Sequence, residues 1–188
     1  MGGESLQLHR LIQAVVRDRH SEQSDEDQRR AELLVAAAEP DNIGTDPGSW
    51  PEWAKLLPHL IFLNPAIGGP ELRSAACNAL WYLLMLGEYR TALPLADAWH
   101  ESWLQRQDPD DIDVLRAADQ LAVAHSRLGE HAKARRLHED ILGRRRRILG
   151  ENHPDTLTSA HRLAIDLRQL GEHEAAHQLD QDTYDHQT

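Results

Sequence analysis

Between residues 112 and 150 the apolar positions recur about every third or fourth residue, pause at a glycine, and resume. Leu121, Val123, Ala124 and Leu128 stand before the pause; Ala134, Leu137, Ile141, Leu142 and Leu149 stand after it. The spacing is that of two helices, each with one apolar face, meeting at Leu128-Gly129-Glu130. Glycine accepts a positive φ at no steric cost, so it ends one helix and lets another begin within two or three residues. Leu86-Gly87-Glu88 and Leu170-Gly171-Glu172 reproduce this turn, with 129 − 87 = 42 and 171 − 129 = 42. Ala92, Ala134 and Ala176 share a column at that period, as do Leu95, Leu137 and Leu179. Tyr89, His131 and His173 form a third column, Trp81, Val123 and Ile165 a fourth, and Leu121 and Leu163 follow Ala79 in a fifth. A fixed period of this length marks stacked supersecondary units that bury their apolar faces on one another.

The period predicts helix pairs over 70–86 and 89–106, 112–128 and 131–148, and 154–170 and 173–185. The expected fold is therefore all-α, a right-handed α-α superhelix of three helix hairpins at about 69–110, 111–152 and 153–188. Packed helices approach to about 8–10 Å, and a small residue in the column of Ala134 permits the short end of that range. Pro154 and Pro70 open first helices, where a missing N–H costs nothing, and Ile112 stands between them in the same column. Glu71, Asp113 and Asp155 follow, each placing a carboxylate at the positive end of a helix dipole.

About three helices are expected before the repeats. Ser5-Leu6-Gln7-Leu8-His9 alternates like a short strand, and Leu11, Ile12, Val15 and Val16 then switch to a helical stripe. Ser24 and Asp27 frame a capping-box-like helix start, with Leu33, Leu34, Ala37 and Ala38 as its apolar side. After a loop over Pro40–Gly48, Ser49-Trp50-Pro51 starts a helix carrying Trp50, Trp53, Leu57, Leu60 and Ile61 and ending at Asn64-Pro65. Residues 21–68 thus read as a helical linker and cap for the exposed apolar end of the stack.

The stretch Leu149-Gly-Glu-Asn-His-Pro-Asp-Thr-Leu157, with Leu163-Ala164 and Leu170-Gly171-Glu172, resembles the 42-residue tetratricopeptide (TPR) repeats of the kinesin-light-chain type. Such repeats are abundant at the C-terminal ends of bacterial NB-ARC-type (STAND) signalling ATPases. The first repeat departs most from the pattern, with Gly69-Pro70-Glu71-Leu72 and Asn78-Ala79-Leu80 in place of the family's segments. Leu8–Val15 resembles the last strand and helix of the winged-helix domain that follows the ATPase in that family, so residues 1–20 read as a winged-helix remnant. What the resemblance implies is a C-terminal sensor and scaffold arm of a longer protein, opening inside a hairpin at Met-Gly-Gly-Glu. The chain holds no phosphate-binding loop and no Gly-rich dinucleotide turn.

The resemblance also implies a concave groove lined by the first helix of each repeat. It assigns Ser74, Cys77, Asn78, Trp81 and Met85 to the groove from the first repeat. Arg116, Asp119, Gln120, Val123 and Arg127 come from the second, and Thr158, His161, Arg162, Ile165 and Gln169 from the third. Amide, imidazole and guanidinium groups around a tryptophan suit an extended peptide or another helix. Of the column Asn78, Gln120 and Arg162, only Asn78 keeps the family's backbone-clamping asparagine. Packing against a preceding part of the longer protein is the alternative use of that surface.

Composition narrows the classes. The 188 residues are 40% apolar but only 5% aromatic. They contain no run of 18 apolar residues and no signal peptide, so neither a membrane partner nor export by that route is expected. The single Cys77 allows no internal disulfide and fits a reducing cytoplasm. Of 20 basic residues only Lys55 and Lys133 are lysine, the usage of a high-GC bacterial, actinobacterial source. A net charge of −11 speaks against non-specific nucleic-acid binding and favours a basic or neutral protein segment as partner. A monomer without cofactor or resident metal is the expected state.

Candidate chemistry is sparse. His173-Glu174-Ala175-Ala176-His177 matches the zinc-protease pattern, in which two histidines on one helix face hold the metal and the Glu acts as base. The repeat explains the same residues without chemistry: His173 stands in the Tyr89/His131 column and Ala176 in the small-residue column, while His186 is the one downstream candidate for a third ligand. No catalytic role is expected. Arg144–Arg147 reads as a solvated face near a helix C-terminus, and Asp108-Pro109-Asp110-Asp111 as a turn. His125, His138, Trp99 and Trp103 read as packing residues. A winged-helix-linked transcriptional regulator is the remaining alternative to a binding module.

Overall fold

The computed structural model describes residues 22–40 and 46–185. The strand and helix expected within 5–16, the middle of the Pro40–Gly48 loop, and His186 lie outside the described residues. Among those described, the chain is all-α, with eight α-helices and no strand. It divides into two compact units, Met1–Met85 and Leu86–Thr188.

In the first unit, α1 (Glu22–Ala37) is followed by a 3-10 turn (Pro47–Ser49), α2 (Trp50–Leu63) and α3 (Pro70–Leu86). Ser24 lies inside α1, so the capping box expected there is not its start. The buried side of α1 is Ala31, Glu32 and Val35, whereas Leu33, Leu34, Ala37 and Ala38 face solvent, which corrects the expected apolar face. The reason is a polar tie: the Glu32 carboxylate accepts the Gly69 N–H at 3.1 Å and fixes which side of α1 turns inward, beside the start of α3. On α2 the buried stripe is Trp53, Leu56, Leu60 and Leu63, with Ile61 outside it. Trp53 stacks on Tyr82 of α3, with ring centroids 6.0 Å apart. The helix ends at Asn64, whose φ of 55° places it in the left-handed region that asparagine tolerates.

The second unit holds α4 (Tyr89–Arg106), α5 (Ile112–Arg127), α6 (His131–Leu149), α7 (Pro154–Gln169) and α8 (His173–Asp185). These ends lie within one residue of those the 42-residue period predicts. Each helix packs on the next, and α5 also touches α7, so the first helices of successive hairpins are neighbours. Both inner turns close alike. Gly129 and Gly171 take φ of +81°, and Glu130 N–H reaches back to His125 O as Glu172 N–H does to Leu167 O, each at 2.9 Å. The glycine amides bond to Ser126 O and Arg168 O, so two carbonyls that each helix end would leave unpaired are satisfied. Asp111 caps α5 by accepting Asp113 N–H at 2.8 Å, and Pro154 opens α7. The alanine column is fully buried at Ala134 and Ala176, the latter in a cluster with Leu142, Ala160, Leu163, Ala164 and Leu167. Trp99 and Trp103 are buried and stacked, 6.4 Å between centroids.

Candidate functional site

Helical spacing puts Arg116, Asp119, Gln120, Val123 and Arg127 on one side of α5, and Thr158, His161, Arg162, Ile165 and Gln169 on one side of α7. Because α5 and α7 are neighbours, these two rows form one face of the second unit. Arg127, Thr158, His161, Ile165 and Gln169 are exposed on it, and Val123, Arg116 and Arg162 are half-buried. Thr158 Oγ1 donates to Pro154 O at 2.8 Å, and Arg116 Nη1 lies 3.5 Å from Asp113. Asp119 and Gln120 are buried at its floor. Asp119 is ion-paired with Arg162, so two residues expected to meet a partner hold each other across α5 and α7.

The row expected from the first repeat lies on α3, in the other unit. Cys77 is fully buried there, and Asn78 is buried with its amide donating to the Glu39 carboxylate at 2.6 Å. Trp81 is half-buried, and Met85 is exposed.

Below the floor of the α5/α7 face lies a charge network that sequence reasoning did not single out. Asp166 of α7 is fully buried. Its Oδ1 accepts the Ser126 hydroxyl at 2.6 Å and meets His131 Nδ1 at 3.2 Å, and its Oδ2 meets His138 Nδ1 at 2.7 Å. Burial, the largest single influence on this carboxyl, pushes it up, but the hydrogen bonds from His138, Ser126 and His131 together hold it below the usual carboxylate range. Arg145 of α6 is buried too, donating to Ser159 Oγ at 2.7 Å and to Asp155 O at 3.2 Å, with its Nη1 3.9 Å from Asp119 Oδ1. The sequence carried one signal of this. Asp166 stands between the core residues Leu163 and Leu167, in a column that holds Ala124 one period earlier and Tyr82 two periods earlier.

Arg145 is thus the exception to the expected solvated face, while Arg147 is exposed and Arg144 and Arg146 are half-buried, each of them ion-paired. Arg144 and Arg147 both bind Asp110, at 3.1 and 2.6 Å, and Arg146 pairs with Glu151 at 2.8 Å. Arg147 first, then Arg144, holds the Asp110 carboxyl below its ordinary value. Asp110 and its neighbours form the expected turn, where Asp108 Oδ1 accepts the Asp110 N–H at 2.8 Å.

His173 and His177 are both exposed on α8, and Ala176 between them is in the core. Among the described residues no three His, Cys, Asp or Glu side chains stand together as a metal group. After chelator treatment and dialysis against zinc, elemental analysis is expected to find substoichiometric zinc. One zinc per chain, lost in His177→Ala, would establish a metal site there.

Residues 113–188 match the family profile described as tetratricopeptide repeat. No curated protein matches the chain. Among solved structures, it is similar to a putative kinesin light chain of nearly identical TPR-like repeats from Podosopora anserina, solved in two forms. The form carrying a single substitution has a TM-score of 0.59 and the other 0.57, each at 16% identity over 100% of this chain and 97% of that one. MamA 41-end from Desulfovibrio magneticus RS-1 is similar at a TM-score of 0.53 and 16% identity, over 98% of this chain and 96% of that one. At such identity the likeness is one of fold alone, an all-α solenoid, and the tetratricopeptide profile is matched over residues 113–188. No helix among the described residues is long and apolar enough to cross a membrane.

Proposed function

We propose that the chain is a protein–protein interaction module rather than an enzyme, and that the face lined by α5 and α7 receives an extended peptide or a helix of a partner. The observation that supports this reading is how the side chains divide. Residues turned toward the hairpin interior are spent on packing or on the Asp166 network. Arg127, His161, Ile165 and Gln169 share one exposed face and offer donors beside an apolar seat. Trp81 and Met85 on α3 are a second candidate set, carried by the first unit. The partner is proposed to be a protein segment, with neither nucleic acid nor membrane involved, and the protein to act as a cytoplasmic monomer without cofactor. In a longer protein the repeats, residues 69–188, would serve as the sensor arm that restrains or releases an NB-ARC-type ATPase.

The test uses residues that hold nothing else in place. Arg162→Ala would strand the buried Asp119 charge, so the pair Arg127→Glu and Ile165→Asp is the cleaner choice. Proteins captured from an actinobacterial lysate by the wild type are expected to be lost by this variant, with its thermal unfolding unchanged; single interface hot spots typically contribute about 2 kcal/mol or more. If the variant retained every captured protein, the α5/α7 face would not be the binding site.

A further inference from the structure

Two buried atoms face each other in the second unit without hydrogen-bond partners: His138 Nε2 on α6 and Asp119 Oδ1 on α5, 3.9 Å apart. The other ring nitrogen of His138 is committed. Its Nδ1 lies 2.7 Å from Asp166 Oδ2, and an ionised carboxylate only accepts, so Nδ1 carries the hydrogen. In the neutral ring Nε2 is then a bare lone pair pointed at a second acceptor, an arrangement in which neither atom gains. A proton on Nε2 turns that acceptor into a donor aimed at Asp119.

Charge leads to the same place. Asp119 is served by Arg162 through Oδ2 and faces Arg145, 3.9 Å from Oδ1. The groups bonded to the fully buried Asp166 are Ser126, His131 and His138, so positive charge reaches that carboxylate through an imidazole. A buried charge left without a countercharge is strongly destabilising. His131 is partly open to water, with a side-chain exposure of 22%, while that of His138 is 2%. The groups around His138 are thus Asp119 from α5, Asp166 from α7 with Arg162 beyond Asp119, and His131 and Arg145 from its own helix.

We propose that His138 is a proton-operated clasp. Carrying its second proton, it bridges Asp166 on α7 to Asp119 on α5, adding a tie inside the second hairpin to the one it already makes with the third. Without that proton only the Asp166 link remains. The clasp reaches the surface through Asp119, since a carboxylate drawn toward His138 holds the half-buried Arg162 of the α5/α7 face less tightly. This last consequence rests on the binding role proposed for that face; the clasp itself does not, and it is tested without any partner.

The experiment is nitrogen NMR of histidine-labelled full-length protein from about pH 8 to about pH 5, the range in which imidazoles change charge, with thermal unfolding measured alongside. His138→Gln assigns the signal. In the wild type both His138 ring nitrogens are expected to reach the imidazolium pattern while the protein is still folded. The bond to Asp119 exists only in the protonated form, so the stability it adds is present at the acid end of this range and lost as pH rises. Between pH 8 and pH 5 the change in Tm should therefore favour the wild type over His138→Gln by about 2–4 °C, the shift that one such bond gives a chain of this size. Asp119→Asn, which keeps His138 and Asp166, should lose most of that difference. A His138 ring that kept one bare nitrogen until the protein unfolded would overturn the proposal. So would an Asp119→Asn variant whose Tm followed pH as the wild type's does.

Discussion

Replacing Asp166 with alanine is expected to destabilise the second unit by about 3–5 kcal/mol, the range seen when one partner of a buried charged pair is removed. Three groups lose their acceptor at once: the Ser126 hydroxyl, His131 Nδ1 and the buried His138 Nδ1. A buried donor without an acceptor costs its full desolvation, about 1–3 kcal/mol, whereas a surface pair costs little. The control is Asp180→Ala on α8, which removes an exposed partner of Arg168 and should cost less than about 1 kcal/mol. Denaturant unfolding of both variants decides the matter, and an Asp166→Ala loss no larger than that of the control would mean the network adds nothing. The same variant should change the acid limb of the stability profile. The Asp166 carboxyl is held below its ordinary value in the folded protein, so its contribution is present above the unfolded carboxylate range and lost as pH falls through the lower folded value. Asp166→Ala should therefore lose less stability than the wild type in that acid region.

The helices of the second unit were legible because their determinants are local. Gly129 and Gly171 need a positive φ, Asp111 and Pro154 mark helix starts, and the alanine column repeats with the hairpins. Each of these acts within a few residues of itself, so the chain order alone reveals it. The first unit was harder to read. Leu33 and Leu34 look like the inner side of α1 until Glu32 is found holding Gly69, 37 residues further along the chain, and that contact turns the other face inward. Arg145 illustrates the same limit in the second unit. Four consecutive arginines must wrap the helix, and which of them points inward depends on Ser159 and Asp155 of the next helix. The proposed binding face is a row of positions on α5 and α7 that helical spacing alone lines up. The pairing of Asp119 with Arg162 was not legible, because it follows from the lateral contact of two first helices rather than from either helix alone.

Ala134→Leu is expected to cost about 1–3 kcal/mol, through overpacking rather than any lost contact. Ala134 begins the first buried turn of α6, is fully buried, and donates its N–H to Glu130 O at 3.2 Å right after the tight Gly129 turn. That turn holds α5 and α6 at short range, so three added carbons cannot be met by sliding one helix along the other. Either the rotamer strains or the hairpin opens. A hairpin that opened would also part His138 on α6 from Asp119 on α5, and the cost would rise toward the upper end of the range. Ala132→Leu, two residues earlier on the same helix and exposed, adds the same carbons to solvent and should leave stability within about 0.5 kcal/mol of wild type. The comparison separates packing from helix propensity, since alanine and leucine are both strong helix formers. Denaturant midpoints that coincide for Ala134→Leu and Ala132→Leu would show that the alanine column is not where the paired helices come closest.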